Sequence, residues 1–146
     1  MSVNVIAQLP LVNAMLKGSC LCGSIRYELD AELLYLFHCH CKECRAFSGA
    51  SHASNASIEA SKLTISDDQN NLANYKTQTG SRYFCKNCGS SLYSEIDGYK
   101  EFPTLCCGTL HTPPVKNLDA NLWLDEKCPW DEPSPAAQNF SKAVVP

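Results

Sequence analysis

Three cysteine clusters at short spacings constrain this chain more than any other feature: Cys20-Leu21-Cys22, Cys39-His40-Cys41-Lys42-Glu43-Cys44 and Cys85-Lys86-Asn87-Cys88. Two residues along an extended strand advance roughly 6.6 Å and return a side chain to the same face, so Cys39 and Cys41 can aim both sulfurs at one point. A turn after Cys41 brings Cys44 there as well. Sulfurs about 2.3 Å from a tetrahedral zinc lie about 3.8 Å apart, which this spacing allows. Cys20, Cys22, Cys85 and Cys88 supply the four ligands of a closed structural zinc site. Cys39, Cys41 and Cys44 supply three and leave a position for water or substrate, the mark of a catalytic site. Gly23 and Gly89 follow the outer clusters and can take the positive φ that lets backbone N–H groups approach sulfur. Joining those clusters closes a loop of about sixty residues, a constraint of about 4 kcal/mol in chain entropy.

Ten cysteines could instead form five disulfides. Cys20/Cys22 and Cys39/Cys41 are awkward to bridge locally but well set to share a metal, so metal is the stronger reading. The first sixteen residues contain no Lys or Arg, which argues against a secretory signal with a basic start. No apolar run approaches the roughly eighteen residues of a membrane span. The expected compartment is a reducing cytoplasm.

At 146 residues the chain reads as one domain, large enough that metal is not required merely to rescue a small core. The formal charge of −3 becomes more negative once seven thiols ionise onto two zinc ions. Lys and Arg are scattered. Nucleic acid, which needs a basic face, is therefore disfavoured as a partner.

Residues 1–15 read as an N-terminal extension, residues 16–132 as the zinc-binding domain and residues 133–146 as a loose C-terminal tail. Residues 24–29 alternate apolar and polar side chains, and residues 33–37 form a short apolar run; both predict strands. Further short strands are predicted over 52–58, 63–65, 75–77, 82–85, 90–96, 104–110 and 122–124. Turn chemistry separates several of them, at residues 67–71, 79–80 and 97–98. Residues 42–47 predict a turn or two of helix ended by Ser48-Gly49. Many short strands, little helix and no fixed-period repeat make an all-β domain of short antiparallel strands.

His38 and His40 alternate with Cys39 and Cys41 and should point away from a metal held there. His52 and His111 carry no local motif. Lys42 and Arg45 flank Cys44, where either can offset thiolate charge or hold a substrate carboxylate. The trio also admits a blander reading, a second structural zinc completed by His52, Cys106, Cys107 or Cys128. Otherwise, the isolated cysteines read as small buried hydrophobes.

Residues 18–23, 39–45, Gly49, 84–90, Cys107-Gly108-Thr109-Leu110 and Pro129-Trp130 together resemble the glutathione-dependent formaldehyde-activating enzyme family, over about residues 16–130. The resemblance implies that family's all-β, Mss4-like zinc-binding fold. It also implies a structural zinc on the first and third clusters, a catalytic zinc on the middle one, and carbon–sulfur lyase chemistry giving S-hydroxymethylglutathione. Small-molecule thiol and aldehyde are the implied partners. Two positions depart from the pattern: Asn121 stands where the family often carries His, and Ala46 where a second Arg is common. Three thiolates leave zinc a weak Lewis acid and favour a soft thiol as fourth ligand, with polarisation of the aldehyde oxygen as the alternative. A non-catalytic zinc module that binds a protein partner, and a redox role for Cys39 to Cys44, are the competing functions.

Overall fold

A computed structural model describes residues 15–143. Among the described residues, eleven strands form two sheets, and there is one α-helix. The smaller sheet has the order β1-β2-β5, with β1 Leu16–Ser19, β2 Arg26–Leu29 and β5 Leu63–Ser66, all antiparallel. The larger has the order β11-β10-β3-β4-β9-β8-β7-β6. Its strands are β3 Tyr35–Cys39, β4 Ala53–Ser57, β6 Leu72–Lys76, β7 Gly80–Cys85, β8 Ser91–Ile96, β9 Thr104–Cys106, β10 Ala120–Leu122 and β11 Gln138–Asn139. Most neighbours run antiparallel, but β10 pairs in parallel with both β3 and β11. The all-β expectation holds.

Tyr27 and Leu29 of β2 bury against Leu33, Ala56, Ile58 and Leu105, forming the main apolar core. The alternation over β2 places Tyr27 and Leu29 inside and Arg26 and Glu28 outside, which is the period-2 pattern of its sequence. A second cluster joins Cys20, Ile25, Cys85, Leu92 and Tyr93. A third joins Cys39, Cys44 and Ala53, with Phe37 and Trp123 packed against them. Both larger cysteine clusters thus sit where apolar packing already holds the chain.

The short helix α1, Lys42–Ser48, is fixed at both ends. The Cys41 sulfur accepts from the Cys44 amide at 3.3 Å, and Gly49, at φ 66°, donates its N–H to Arg45 O at 2.9 Å. Ser91 Oγ donates to Phe47 O and ties the helix to β8.

Several boundaries differ from the sequence reading. The apolar run at 33–37 feeds a strand that continues to Cys39, so the first cysteine of the trio ends a strand. The stretch 104–110 stops being extended at Cys106 and becomes a 3₁₀ turn over Cys107–Thr109. The strand expected at 122–124 lies at Ala120–Leu122, after which Trp123 takes φ 58°. The stretch expected to trail loosely from Pro133 instead supplies β11, and Trp123 and Leu124 donate their amides to Lys142 O and Phe140 O. Pairing energy from a distant strand orders this segment, which local propensity does not foretell. The expected extension, apart from Met15, and residues 144–146 lie outside the described residues.

Gly80 begins β7 opposite Ile96, and a Cβ there would lie 1.9 Å from Glu95 O. Because the obstacle is backbone, Gly80→Ala should cost about 2–3 kcal/mol, read as a lower urea midpoint at unchanged m-value.

Candidate metal centre

Sγ atoms of Cys20, Cys22, Cys85 and Cys88 lie within 4.8 Å of one another, the Cys20–Cys22 pair at 3.5 Å and the Cys22–Cys85 pair at 3.8 Å. Two tight turns deliver them. Gly23 N donates to Cys20 O at 3.0 Å and Gly89 N to Cys85 O at 2.7 Å, with φ 75° and 80° at the glycines. A φ of that sign is available to glycine at no steric cost. The turns lock together where Leu21 N donates to Ser90 Oγ at 2.8 Å.

Hydroxyls at the site favour thiolate. Ser24 Oγ, 3.2 Å from the Cys22 sulfur, is the main reason that exposed thiol falls to about 5, and Ser90 Oγ brings Cys88 to about 7. Burial raises Cys85. Asn71 Nδ2 donates to Ser24 Oγ at 3.1 Å and so orients that hydroxyl.

Cys39, at the end of β3, Cys41, at the cap of α1, and Cys44, within it, form the second sulfur group, again within 4.8 Å. Hydrogen bonds from the Cys39 and Cys44 thiols drive Cys41 far down, while the same pairing with Cys41 and Cys44 drives Cys39 up. Without a cation, three sulfurs this close share their protons unequally, because adjacent thiolates repel. Arg82, on β7, brings its guanidinium nitrogens to 3.7 and 3.8 Å from Cys44 Sγ. The same guanidinium pairs with Glu43 Oε2 and lies 5.3 Å from the centroid of the Phe47 ring.

Among the described residues no further Cys, His, Asp or Glu joins this trio. Burial raises Cys106 and Cys107 to about 12, which keeps both protonated. Cys128 is buried and takes a contact from Arg45 Nη1 at 3.6 Å. All ten cysteines are free thiols.

The two flanking cations diverge. Arg45 turns inward, its Nε donating to His40 O at 3.1 Å. Lys42 is exposed and, among the described residues, has no ion-pair partner; its backbone N–H donates to Glu126 Oε2 at 2.8 Å. A groove of about 830 Å³ opens beside α1, bounded by Glu43, Phe47, Tyr75, Arg82 and Phe84. Sequence reasoning missed Arg82, which lies 38 residues from Cys44 with no local motif to mark it. It also missed Trp123, a bulky residue held at positive φ against the trio, a conformation costing about 1–3 kcal/mol.

A third group gathers His40, His52 and Asp131. His40 points away from the sulfurs as expected for alternate strand positions and is fully buried. Burial lowers the His40 imidazole, and burial with the neighbouring His52 lowers His38, stacked on His52 at 4.1 Å, to about 4.

Residues 15–126 match the glutathione-dependent formaldehyde-activating enzyme family. The chain belongs to this family. A Halomonas elongata protein named for the same family is 29% identical over 129 residues, spanning 81% of this chain and 80% of its own. A Schizosaccharomyces pombe protein named as an uncharacterised lyase is 31% identical over 77 residues, 53% of this chain and 55% of its own. A crystal structure of a Rhodobacter sphaeroides protein shares the fold at a TM-score of 0.55 and 27% identity, covering 65% of this chain and 87% of that one. Family membership ties the chain to glutathione-dependent formaldehyde activation and to enzyme status. No helix among the described residues is long and apolar enough to cross a membrane.

Proposed function

We propose that this family member is a zinc-dependent carbon–sulfur lyase, adding glutathione to formaldehyde or a related small aldehyde at Cys39, Cys41 and Cys44. The observation that carries this reading is a sulfur trio with no fourth protein ligand among the described residues, in a chain whose other sulfur group has all four. Structural zinc takes four protein ligands and catalytic zinc three. The donor set suits zinc: the sulfurs converge, Cys41 readily ionises, and a guanidinium stands beside Cys44. Bound there, zinc would supply a position that favours a soft thiol and, with three thiolates around it, modest Lewis acidity.

The chain's own residues define the rest. Arg82 offsets negative charge at Cys44 while Glu43 fixes its guanidinium. Phe37 and Trp123 pack against the trio and give it an apolar side. The groove beside α1 has a volume suited to a tripeptide. Lys42, exposed next to the groove residue Glu43, would reach a carboxylate of that tripeptide, and Arg45, engaged with His40 O, holds the helix start in place. In the reaction the thiol S–H bond breaks and an S–C bond forms to the carbonyl carbon. The C=O π pair moves to oxygen, which ends with the proton.

We place this chemistry in the cytoplasm, where ten cysteines without a disulfide persist unoxidised. Exchange spectroscopy by NMR tests the reading. Zinc-loaded protein should accelerate interconversion of formaldehyde plus glutathione with S-hydroxymethylglutathione in proportion to its concentration. Protein carrying two zinc ions that leaves this exchange at the uncatalysed rate, with glutathione and with simpler thiols, would sink it.

A further inference from the structure

We infer that His40, His52 and Asp131 form a third metal site, for a divalent first-row transition ion held by two imidazoles and one carboxylate. His40 Nδ1 and His52 Nδ1 approach the same atom, Asp131 Oδ2, at 3.1 and 2.9 Å. Ligand atoms about 2.1 Å from a metal and at right angles to one another lie about 3.0 Å apart. Two edges of the group therefore already have the length of one face of an octahedral site.

The alternative, a carboxylate serving two histidines through hydrogen bonds, accounts for only one of them. His52 Nδ1 is aligned for such a bond. His40 Nδ1 is not, and both ring nitrogens of this completely buried side chain are without a hydrogen-bond partner. Buried polar atoms are seldom left so. An ion on Nδ1 satisfies the inner nitrogen. The outer one faces Asn121, fully buried as well, whose carboxamide oxygen is likewise unpartnered. A small rotation pairs Nε2–H with that oxygen, the outer-shell contact that fixes a metal-binding tautomer.

The remaining geometry permits entry and exchange. His52 and Asp131 keep 26% and 14% of their side-chain surface, so the group is sealed by His40 on one side and reachable from the other. Three protein ligands leave positions for water. Nitrogen and oxygen donors distinguish this site from both sulfur groups and select Zn²⁺, Co²⁺, Ni²⁺ or Fe²⁺ over softer ions. Asp131 comes from the stretch after Pro129, and His52 from the turn before β4, so the ion would join the C-terminal segment to the large sheet.

The experiment titrates Ni²⁺ into tag-free, full-length protein whose two sulfur sites hold zinc. One further equivalent should bind, with nickel absorption that lacks a sulfur-to-metal band and with no zinc released. Asp131→Asn and His52→Gln should each weaken it at least about tenfold while keeping two zinc ions. The inference fails if no further equivalent binds at saturating Ni²⁺, if nickel displaces zinc onto sulfur, or if both variants bind as the wild type does. Should a variant not fold, paramagnetic broadening of histidine ring signals in the wild type decides. Broadening centred on His40 and His52 supports the site, and broadening centred on His111 overturns it.

Discussion

Cys41→Ser protein is expected to lose at least about 10³-fold in kcat/KM for thiol-dependent formaldehyde turnover while its thermal midpoint stays within about 3 °C of the wild type. The two effects separate because Cys41 does two jobs. Its sulfur is the most readily ionised of the trio, so a hydroxyl in its place would remove the soft, anionic ligand that the proposed zinc needs there. Its other task is to cap α1 by accepting from the Cys44 amide, and serine is among the best residues for that. Cys41→Ala, which loses the cap too, should be about 1 kcal/mol less stable than Cys41→Ser and equally inactive. Zinc content by mass spectrometry should fall by one ion per chain. Full turnover with a single remaining zinc would falsify the assignment of the reaction to this centre.

The opposite pattern is expected at the quartet. Cys85→Ser should lower the thermal midpoint by at least about 10 °C, the consequence of losing about 3–5 kcal/mol. Cys85 is completely buried at the end of β7 and packs in one cluster with Cys20, Ile25, Leu92 and Tyr93. Its loss leaves three sulfurs and releases the clasp between the turn after β1 and the turn after β7. The free energy lost combines metal ligation with the entropy of the intervening loop. Calorimetry on the variant, and on wild-type protein stripped by a strong chelator, should give transitions displaced in the same direction. A variant melting with the wild type while lacking this zinc would show that apolar packing alone holds the two turns together.

Together these variants assign different work to the two sulfur groups, and the reason they can be told apart is their setting. The quartet sits among residues that join both sheets, so its loss propagates through the main packing. The trio is built on the end of one strand and one short helix, tied to the rest by Ser91, Arg82 and the apolar cover of Trp123.

How much of this was legible beforehand follows from range. Cys39, Cys41 and Cys44 lie within six residues, and strand and helix geometry alone bring their sulfurs together. The turns at Gly23 and Gly89, and the end of α1 at Gly49, were legible because each depends on one residue's φ. Strands β2, β7 and β8 carry their own alternation or β-rich composition. By contrast β1, Leu-Lys-Gly-Ser, contains a glycine and no repeated apolar alternation, β11 has only two residues, and both form because β2 and β10 offer open edges. The parallel placement of β10 beside β3 is equally a tertiary matter. Asp119 secures it by accepting from Leu36 N at 2.8 Å across 83 residues.

The sequence by itself therefore determined which cysteines gather, the all-β class and the family, since these reside in residue types at short spacings. Only the tertiary structure decided what stands around the trio: Arg82 from β7 beside Cys44, Trp123 strained against it, and no fourth ligand among Cys106, Cys107, Cys128 and His52. The same holds for the meeting of His40, His52 and Asp131, which come from three parts of the chain. Such contacts are set by how sheets pair and cores pack, and no local propensity encodes a neighbour that lies 38 or 91 residues away.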